Sequence, residues 1–374
     1  MGVHIYADNA ATTKLDKAAF EAMTPWLLEE YGNASQPYAF ARKPKKALAD
    51  ARATIAECIG ALPEEIYFTS GGTESDNWVI KSSAFSDPDK RSMITSAFEH
   101  HAVLHSCVAI ERLGYPVAYM CPNNEGYITP DILEKYITDS TRLVSVMFAN
   151  NEIGSIQPIR ELCEIAHAHG AFFHTDAVQA VGHVKIDVQE LGIDFLSASA
   201  HKFNGPKGIG FLYIRKGVEL KPYVDGGAQE SAHRAGTENV ASIVGMATAL
   251  KANCDSLEQN QQHIVGLENY LIAKLNDSGI PYRRNGVDSK LPGLISLSFP
   301  EKDGEAILHR MDLMGISIST GSACNSVNTE ISHVLQSIQL DEEYAKGTIR
   351  ISLSKNNTNA EVERIAEALI KIIT

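Results

Sequence analysis

The chain has 374 residues, of which 44% are hydrophobic and 21% charged, and its formal net charge is −13. This composition describes an ordinary globular protein longer than one typical core, so a large domain with a smaller companion is expected. The acidic balance argues against a nucleic-acid surface, which needs clustered Lys and Arg, and no apolar run approaches the roughly 20 residues of a membrane span. The opening "MGVHIYADNAATTK" carries neither the apolar core of a signal peptide nor the later Ser or Thr of a myristoylation signal. Six cysteines, at 58, 107, 121, 163, 254 and 324, stand far apart without CxxC or ligand-like spacing to histidines. No metal site is expected from them, and reduced thiols in a cytoplasmic protein are.

In chain order, the segments before residue 60 read as helical. From about residue 65 to 215, short β-rich runs alternate with helical patterns. "IYFTS" leads into "GGTESDNWVIKSSAF", and "SMITSAF" leads into "HHAVLHSCVAIERLG". "RLVSVMFAN" and "AFFHTDA" flank the helical "IRELCEIAHAHG", and "DFLSASA" is a further strand candidate. This alternation predicts an α/β large domain with a mostly parallel sheet. From "NVASIV" to "IAKLN" the pattern becomes one long, breakable helical stretch, a candidate connection to a second domain. Strands near "GLISLSF" and "TIRISL", with helices near "GEAILHRMDL" and "AEVERIAEALIKII", predict a smaller α+β unit. The expected division is residues 16–250 for the large domain, and 1–15 with 251–374 for the small one. The helical segments before residue 60 are expected to pack partly on the small unit.

Four loop signals carry chemistry. "FTSGGTESDN" is a strand, a Gly71-Gly72 turn and a helix start at Thr73, which suits a phosphate; Thr73 merely capping the helix is the competing reading. "FFHTDAVQA" ends a buried strand on Asp176, where open α/β sheets bind ligands. That carboxylate needs a cation, such as a protonated pyridine nitrogen, unless it only caps the next helix. "SASAHK" places Lys202 beside Ser199 and Ala200, small enough to admit a ring bonded to its amine, although a loop lysine is ordinarily a surface residue. "ISISTGSACNSVN" sets Cys324 in a Gly/Ser loop, as a cysteine nucleophile would stand; Cys58, Cys107 and Cys163 lie in amphipathic helices and read as packing residues. A phosphate cup, a buried Asp and a boxed-in Lys are together the attachment points of pyridoxal phosphate.

With "YADNAATT", "YGNAS", "EHHAVL", "NNEIGSIQPI", "RAGTEN", "SHVL" and "IRISL" added to these, the chain resembles, nearly end to end, the NifS/IscS-like cysteine desulfurases of the class V aminotransferase superfamily. The resemblance implies fold type I, with a mostly parallel seven-stranded sheet, pyridoxal 5'-phosphate, a homodimer, L-cysteine as substrate and a sulfur-acceptor protein. Residue by residue, it implies that Lys202 bonds the cofactor, Asp176 holds the pyridine nitrogen protonated, Gln179 and Asn151 lie beside the ring, and His100 stacks on it. Gly72, Thr73, Ser199 and His201 would bind the phosphate, with Thr237 supplied to the neighbouring subunit. Arg350 would clamp the substrate carboxylate, Asn9 and Asn33 would line the substrate side, and Cys324 would receive sulfur as a persulfide. The same resemblance leaves selenocysteine lyase or another class V aminotransferase as alternatives. Departures from the pattern are Ala34, Tyr38, Ser231, Ala232, Asn325 and Ile331, and a short tail ending at Thr374. An NAD-type reading fails, because no GxGxxG follows a strand.

Overall fold

The computed structural model describes residues 4–86, 89–286, 290–320 and 331–374. Among them the strands are, in chain order, β1 (Ile5–Tyr6), β2 (Ile66–Thr69), β3 (Ser92–Ser96), β4 (Val117–Met120), β5 (Thr141–Ser145), β6 (Phe172–Asp176), β7 (Phe195–Ser199), β8 (Gly210–Ile214), β9 (Arg283–Asn285), β10 (Leu294–Ser298), β11 (Ile316–Ser317) and β12 (Thr348–Ser352). Seven of these form one sheet in the order β2-β8-β7-β6-β5-β3-β4. Pairings from β7 through β6, β5 and β3 to β4 are parallel, and only β8 runs against its neighbours β2 and β7. The expected α/β, mostly parallel seven-stranded sheet is therefore present.

Each strand of this sheet is apolar on both faces, because helices cover both. Alternate residues enter different cores: Ile94, Val144, Leu196 and Phe211 join one cluster, while Met93, Leu143, Phe195 and Leu212 join the cluster of Trp78, Val79 and Val103 on the opposite face.

The smaller antiparallel sheet, β12-β10-β9, behaves differently. Ile295, Leu297, Ile349 and Ile351 face a core shared with the helices Leu257–Ser278, Gly304–Leu313 and Asn359–Ile373. The intervening Ser296, Ser298, Thr348, Arg350 and Ser352 are buried too, but on the other face. The period-two alternation thus aims a single guanidinium away from the small core.

The predicted long helical stretch breaks at Ser256, between Val240–Asp255 and Leu257–Ser278. The predicted packing of the early helices on the small unit is not what the structure shows. The helices Lys17–Leu28 and Arg42–Ile59 pack on the helix Val240–Asp255, and Ala19, Leu48, Ala51 and Ile55 belong to the large sheet's core, not to the small unit. Their apolar residues complete the cover of one face of the large sheet. The extreme N-terminus does reach the small unit: β1 pairs with β11 in parallel, and Ala7 O accepts the Ser352 N–H at 2.7 Å.

The segment that departs from the resembled pattern has an unusual backbone. Glu230, Ser231 and Ala232 have φ of +47°, +56° and +65°, three successive non-glycine residues in left-handed conformation. Each costs on the order of 1 kcal/mol or more. Glu230 holds the run in place: its carboxylate takes a bidentate pair from Arg52 at 2.7 and 2.8 Å and accepts the Phe68 N–H at 2.9 Å. Ala232→Gly is expected to raise the stability to urea by about 1 kcal/mol, because glycine adopts φ +65° without a Cβ penalty. An unchanged or lower unfolding midpoint would contradict that strain.

Candidate active site

The ends of β2, β6 and β7 and the N-terminal arm come together at one end of the large sheet. After β2 the chain turns through Gly71 at φ +152° into the helix Gly72–Ala84. Gly72 has no room for a side chain, since a Cβ there would lie 2.4 Å from Val178 Cγ2, while one at Gly71 would touch Ser199 Oγ at 3.4 Å. The cap position is Gly71, without a side-chain cap hydrogen bond, so Thr73 does not cap the helix; it lies exposed in the first turn. Amides at that helix start, flanked by Ser199, make a cup for an anion. Glu74 in the same turn is neutralised by Arg234, which reaches it through Nε at 2.8 Å and Nη2 at 3.0 Å.

Asp176 ends β6 at 5% exposure, and its Oδ1 accepts the Val178 N–H at 2.9 Å. Burial pushes its carboxyl up from the usual range, against which the nearby His100 and Lys202 charges and the Val178 bond act. A buried carboxylate supported by one backbone amide favours a cationic partner. His100 sits at the start of the helix His101–Glu111, where Nδ1 accepts the Ala102 N–H at 3.1 Å, putting the neutral ring's proton on Nε2. Burial pushes its imidazole down; Asp176 opposes this shift, whereas Lys202 adds to it.

Lys202 follows β7 in the turn Ala200–Lys202. Its Nζ donates to the carbonyls of Ala10 and Ala11, the latter at 2.9 Å, and Gln179 Nε2 donates to the same Ala10 carbonyl at 3.0 Å. His201 is pushed down to about 4 by burial and by Lys202 and Lys207, and its Nδ1 lies 3.1 Å from Thr12 Oγ1. The arm that supplies these carbonyls is itself fixed, because the Thr13 N–H donates to His201 O at 2.9 Å and the Ala10 N–H to Ser352 Oγ at 2.9 Å.

Arg350, 4% exposed, points from β12 toward this arm. Nη2 donates to Asp8 Oδ1 at 2.8 Å and Nη1 to Asn151 O at 2.8 Å, while buried Nε has no hydrogen-bond partner among the described residues. It is an ion-paired buried group rather than a surface pair, and its fork retains an unmet donor. Asn151 enters this geometry through its carbonyl. Asn9 Nδ2 serves the β12 end, donating to Ser352 O at 2.8 Å. The hydrogen bond described for Asn33 is local, with Oδ1 accepting the Ser35 N–H at 2.9 Å. Thr237 is exposed and lines a separate recess with Ser70 and Gly208. Cys324, and with it Asn325, lies outside the described residues.

Behind Asp176 lies a layer of buried titratable groups that the sequence does not announce, because each occupies a strand or helix start where only packing is expected. His174 is pushed down to about 3 by burial and lies between Ser145 Oγ at 2.8 Å and Ser197 Oγ at 3.0 Å. Asp76 is pushed well up by burial and by Asp176. Asp8, the partner of Arg350, likewise has no role assigned to it by sequence, although it lies inside the motif "YADNAATT".

The aminotransferase class-V family matches residues 5–365. This chain belongs to that family. Curated relatives named cysteine desulfurase IscS share 46% identity with it: one from Methanosarcina thermophila, matched over 99% of this chain and 92% of its own length, and one from Dictyoglomus turgidum, over 99% and 94%. A solved NifS-like protein superposes with a TM-score of 0.93 at 36% identity, covering 99% of both chains. A structure described as SspA in complex with cysteine gives a TM-score of 0.85 at 36% identity, over 95% of this chain and all of that one. Enzymes of this family depend on pyridoxal phosphate, and the site fits that group: a glycine-cleared anion cup, a buried carboxylate that favours a cation, and a half-buried lysine whose charge acts on that carboxylate. No helix among the described residues is long and apolar enough to cross a membrane.

Glu99 supplies a pH test of this buried layer. Its Oε1 accepts Ser96 Oγ–H at 2.6 Å and the Met147 N–H at 2.8 Å, Oε2 has no partner among the described residues, and burial raises the carboxyl to about 8. The folded state therefore holds a proton that the unfolded chain releases near pH 4.5, so this group's contribution to stability declines as pH rises from about 4.5 to about 8. Glu99→Gln should flatten that part of the profile in urea unfolding series; an unaltered slope would mean Glu99 ionises freely in the fold.

Proposed function

We propose that this chain is a cysteine desulfurase that uses pyridoxal 5'-phosphate to convert L-cysteine to L-alanine, passing the sulfur to Cys324 as a persulfide. The observation that carries the reading is the convergence of Lys202, Asp176 and His100 beside the Gly71–Gly72 cup, in a chain of the class-V family. Lys202 would anchor the cofactor, Asp176 would keep its ring nitrogen protonated, and Gln179, Asn151 and His100 would contact the ring. Gly72, Thr73, Ser199 and His201 would hold its phosphate, with Thr237 reaching in from the neighbouring subunit of a homodimer. When bound, the group supplies an electron sink for charge left at the substrate Cα.

The protein's own steps rest on residue type. Arg350, already held by Asp8 and the Asn151 carbonyl, presents its fork to the substrate carboxylate, with Asn9 and Asn33 on the same side. The Lys202 amine takes the Cα proton, and the neutral His100 ring holds its own proton on the nitrogen that faces away from the helix start. The Cys324 thiolate attacks the substrate sulfur, so the Cβ–S bond breaks as the S–S bond forms; protonation of carbon completes alanine. L-Cysteine and one enzyme thiol thus give L-alanine and one enzyme persulfide, which a sulfur-acceptor protein then collects. We assign residues 16–250 to the cofactor-binding unit, and 1–15 with 251–374 to the unit that carries Arg350.

Purified protein supplied with pyridoxal phosphate, L-cysteine and a thiol reductant should release alanine and sulfide in equal amounts. Cys324→Ala should keep the yellow chromophore and lose sulfide release; full turnover by that variant would overturn the nucleophile assignment. Lys202→Ala should lose the borohydride-reducible adduct at position 202. Arg350→Lys keeps the charge but loses the fork and should raise KM for L-cysteine roughly 10- to 100-fold, the cost of about 1.5–3 kcal/mol in charge-assisted bonding. An unchanged KM would remove Arg350 from carboxylate recognition.

A further inference from the structure

Glu152 has no part in the proposed chemistry, yet it is 5% exposed and adjoins Asn151, whose carbonyl receives Arg350 Nη1 at 2.8 Å. Asn150 fixes its backbone: Asn150 Oδ1 accepts the N–H groups of Glu152 at 2.8 Å and Ile153 at 3.0 Å, and Asn150 Nδ2 donates to Phe98 O at 3.1 Å. Glu152 Oε2 accepts the hydroxyl of buried Ser332 at 2.5 Å. Ser332 caps the helix His333–Ser337, with Oγ accepting the Val334 N–H at 3.1 Å. His333 donates from Nε2 to Glu99 O at 2.9 Å, immediately before His100 in the chain. On the other side of Cys324 in sequence, Ser319 pairs with Arg350 through both backbone groups. The Ser319 N–H donates to Arg350 O at 3.0 Å, and the Arg350 N–H donates to Ser319 O at 2.6 Å.

Residues 319 and 332, which flank Cys324, are thus both tied to Arg350: one through the backbone of Arg350, the other through the neighbour of the residue on which its fork rests. The Ser332 hydroxyl caps its helix by itself, so the cap does not call for a carboxylate. Burial pushes the Glu152 carboxyl up, against which the Ser332 bond and the His333 and Arg350 charges act, so its place among apolar residues is a cost. We propose that Glu152 is a positioning residue for sulfur transfer, holding Ser332 on the same segment that holds Arg350. It fixes, relative to the bound substrate carboxylate, the point from which the chain runs back to Cys324. Anchoring both sides of a segment restricts the volume its middle explores, which raises the effective concentration of the thiolate at the substrate sulfur. The inference rests on the desulfurase reading, and concerns the step in which the substrate Cβ–S bond breaks as the S–S bond forms.

The test compares two readouts in the full-length protein carrying its pyridoxal phosphate. One is the change in cofactor absorbance as L-cysteine is titrated in; the other is the rate of persulfide formation on Cys324 in a single turnover, trapped by alkylation and read by mass. Glu152→Ala should slow persulfide formation roughly 10- to 100-fold, as an ångström-scale misplacement does, and leave the titration midpoint within about twofold. Glu152→Gln keeps an oxygen that accepts the Ser332 hydroxyl and should recover most of the rate. Ser332→Ala should slow the step as Glu152→Ala does, and the double variant should be no slower than either, because the same bond is lost only once. Full-rate persulfide formation by Glu152→Ala and Ser332→Ala, or an equal loss in both readouts as general destabilisation would give, would overturn the inference. A wild-type protein that shows the absorbance change but forms no persulfide would instead overturn the desulfurase reading, and the inference with it.

Discussion

A carboxylate buried at the end of a parallel strand is the constraint around which this molecule is arranged. Asp176 is 5% exposed, and an ionised group in that position is tolerated only beside positive charge and hydrogen-bond donors. The fold supplies them from two directions, the Val178 N–H from its own turn and the Lys202 charge from the turn after the adjacent strand, with the His100 ring close by at the start of a helix. Strand order explains the meeting. β6 pairs with β7 in parallel, so Asp176 and the Ser199–Lys202 segment emerge on the same side of the sheet, and β2 delivers the Gly71–Gly72 turn to that edge through antiparallel β8. Behind them, Asp76, Glu99 and His174 are kept neutral by burial, so no further full charge competes with Asp176.

The N-terminal arm does the joining that neither sheet can do alone. Its few residues bond to β12 at Ser352, offer carbonyls to Lys202 and Gln179, and lay Asp8 against Arg350. Arg350 is therefore set by two things at once: the alternation along β12 that turns it away from Ile349 and Ile351, and an arm 342 residues distant in sequence that receives it. A buried guanidinium held on two of its nitrogens loses little further rotamer freedom on meeting a carboxylate, which is how preorganisation lowers the cost of binding. The Glu230 run illustrates the converse. Three left-handed residues persist because Arg52 and the Phe68 amide over-determine the carboxylate between them, and the Phe68 strand leads straight into the glycine cup.

Much of this was legible in the chain itself, and the reasons are local. β3, β5, β6 and β7 were readable because each is a short apolar run ending on a polar or small residue, whereas the long helical pattern showed that it could break but not that it does so at Ser256. The Gly71–Gly72 turn, Asp176 and Lys202 were readable as residue types out of keeping with their surroundings. Placement of the helices before residue 60 was not legible, since an amphipathic helix declares that it has an apolar face but not which sheet it covers. Thr73 illustrates the same limit at one position. Cap and ligand residues look alike in sequence, and only the backbone shows that Gly71 takes the cap.

Sequence alone thus determined the alternation of elements, the chemical character of the loops and the family to which the chain belongs, because these depend on period, turn chemistry and motifs a few residues long. Tertiary structure decided the pairing of Arg350 with Asp8, the gathering of Lys202 and Gln179 on one alanine carbonyl, and the neutral acids behind Asp176. Each of these is a meeting of residues far apart in the chain. Its energy depends on burial and on distances of a few ångströms, quantities that arise only when strand order and helix packing bring the partners together.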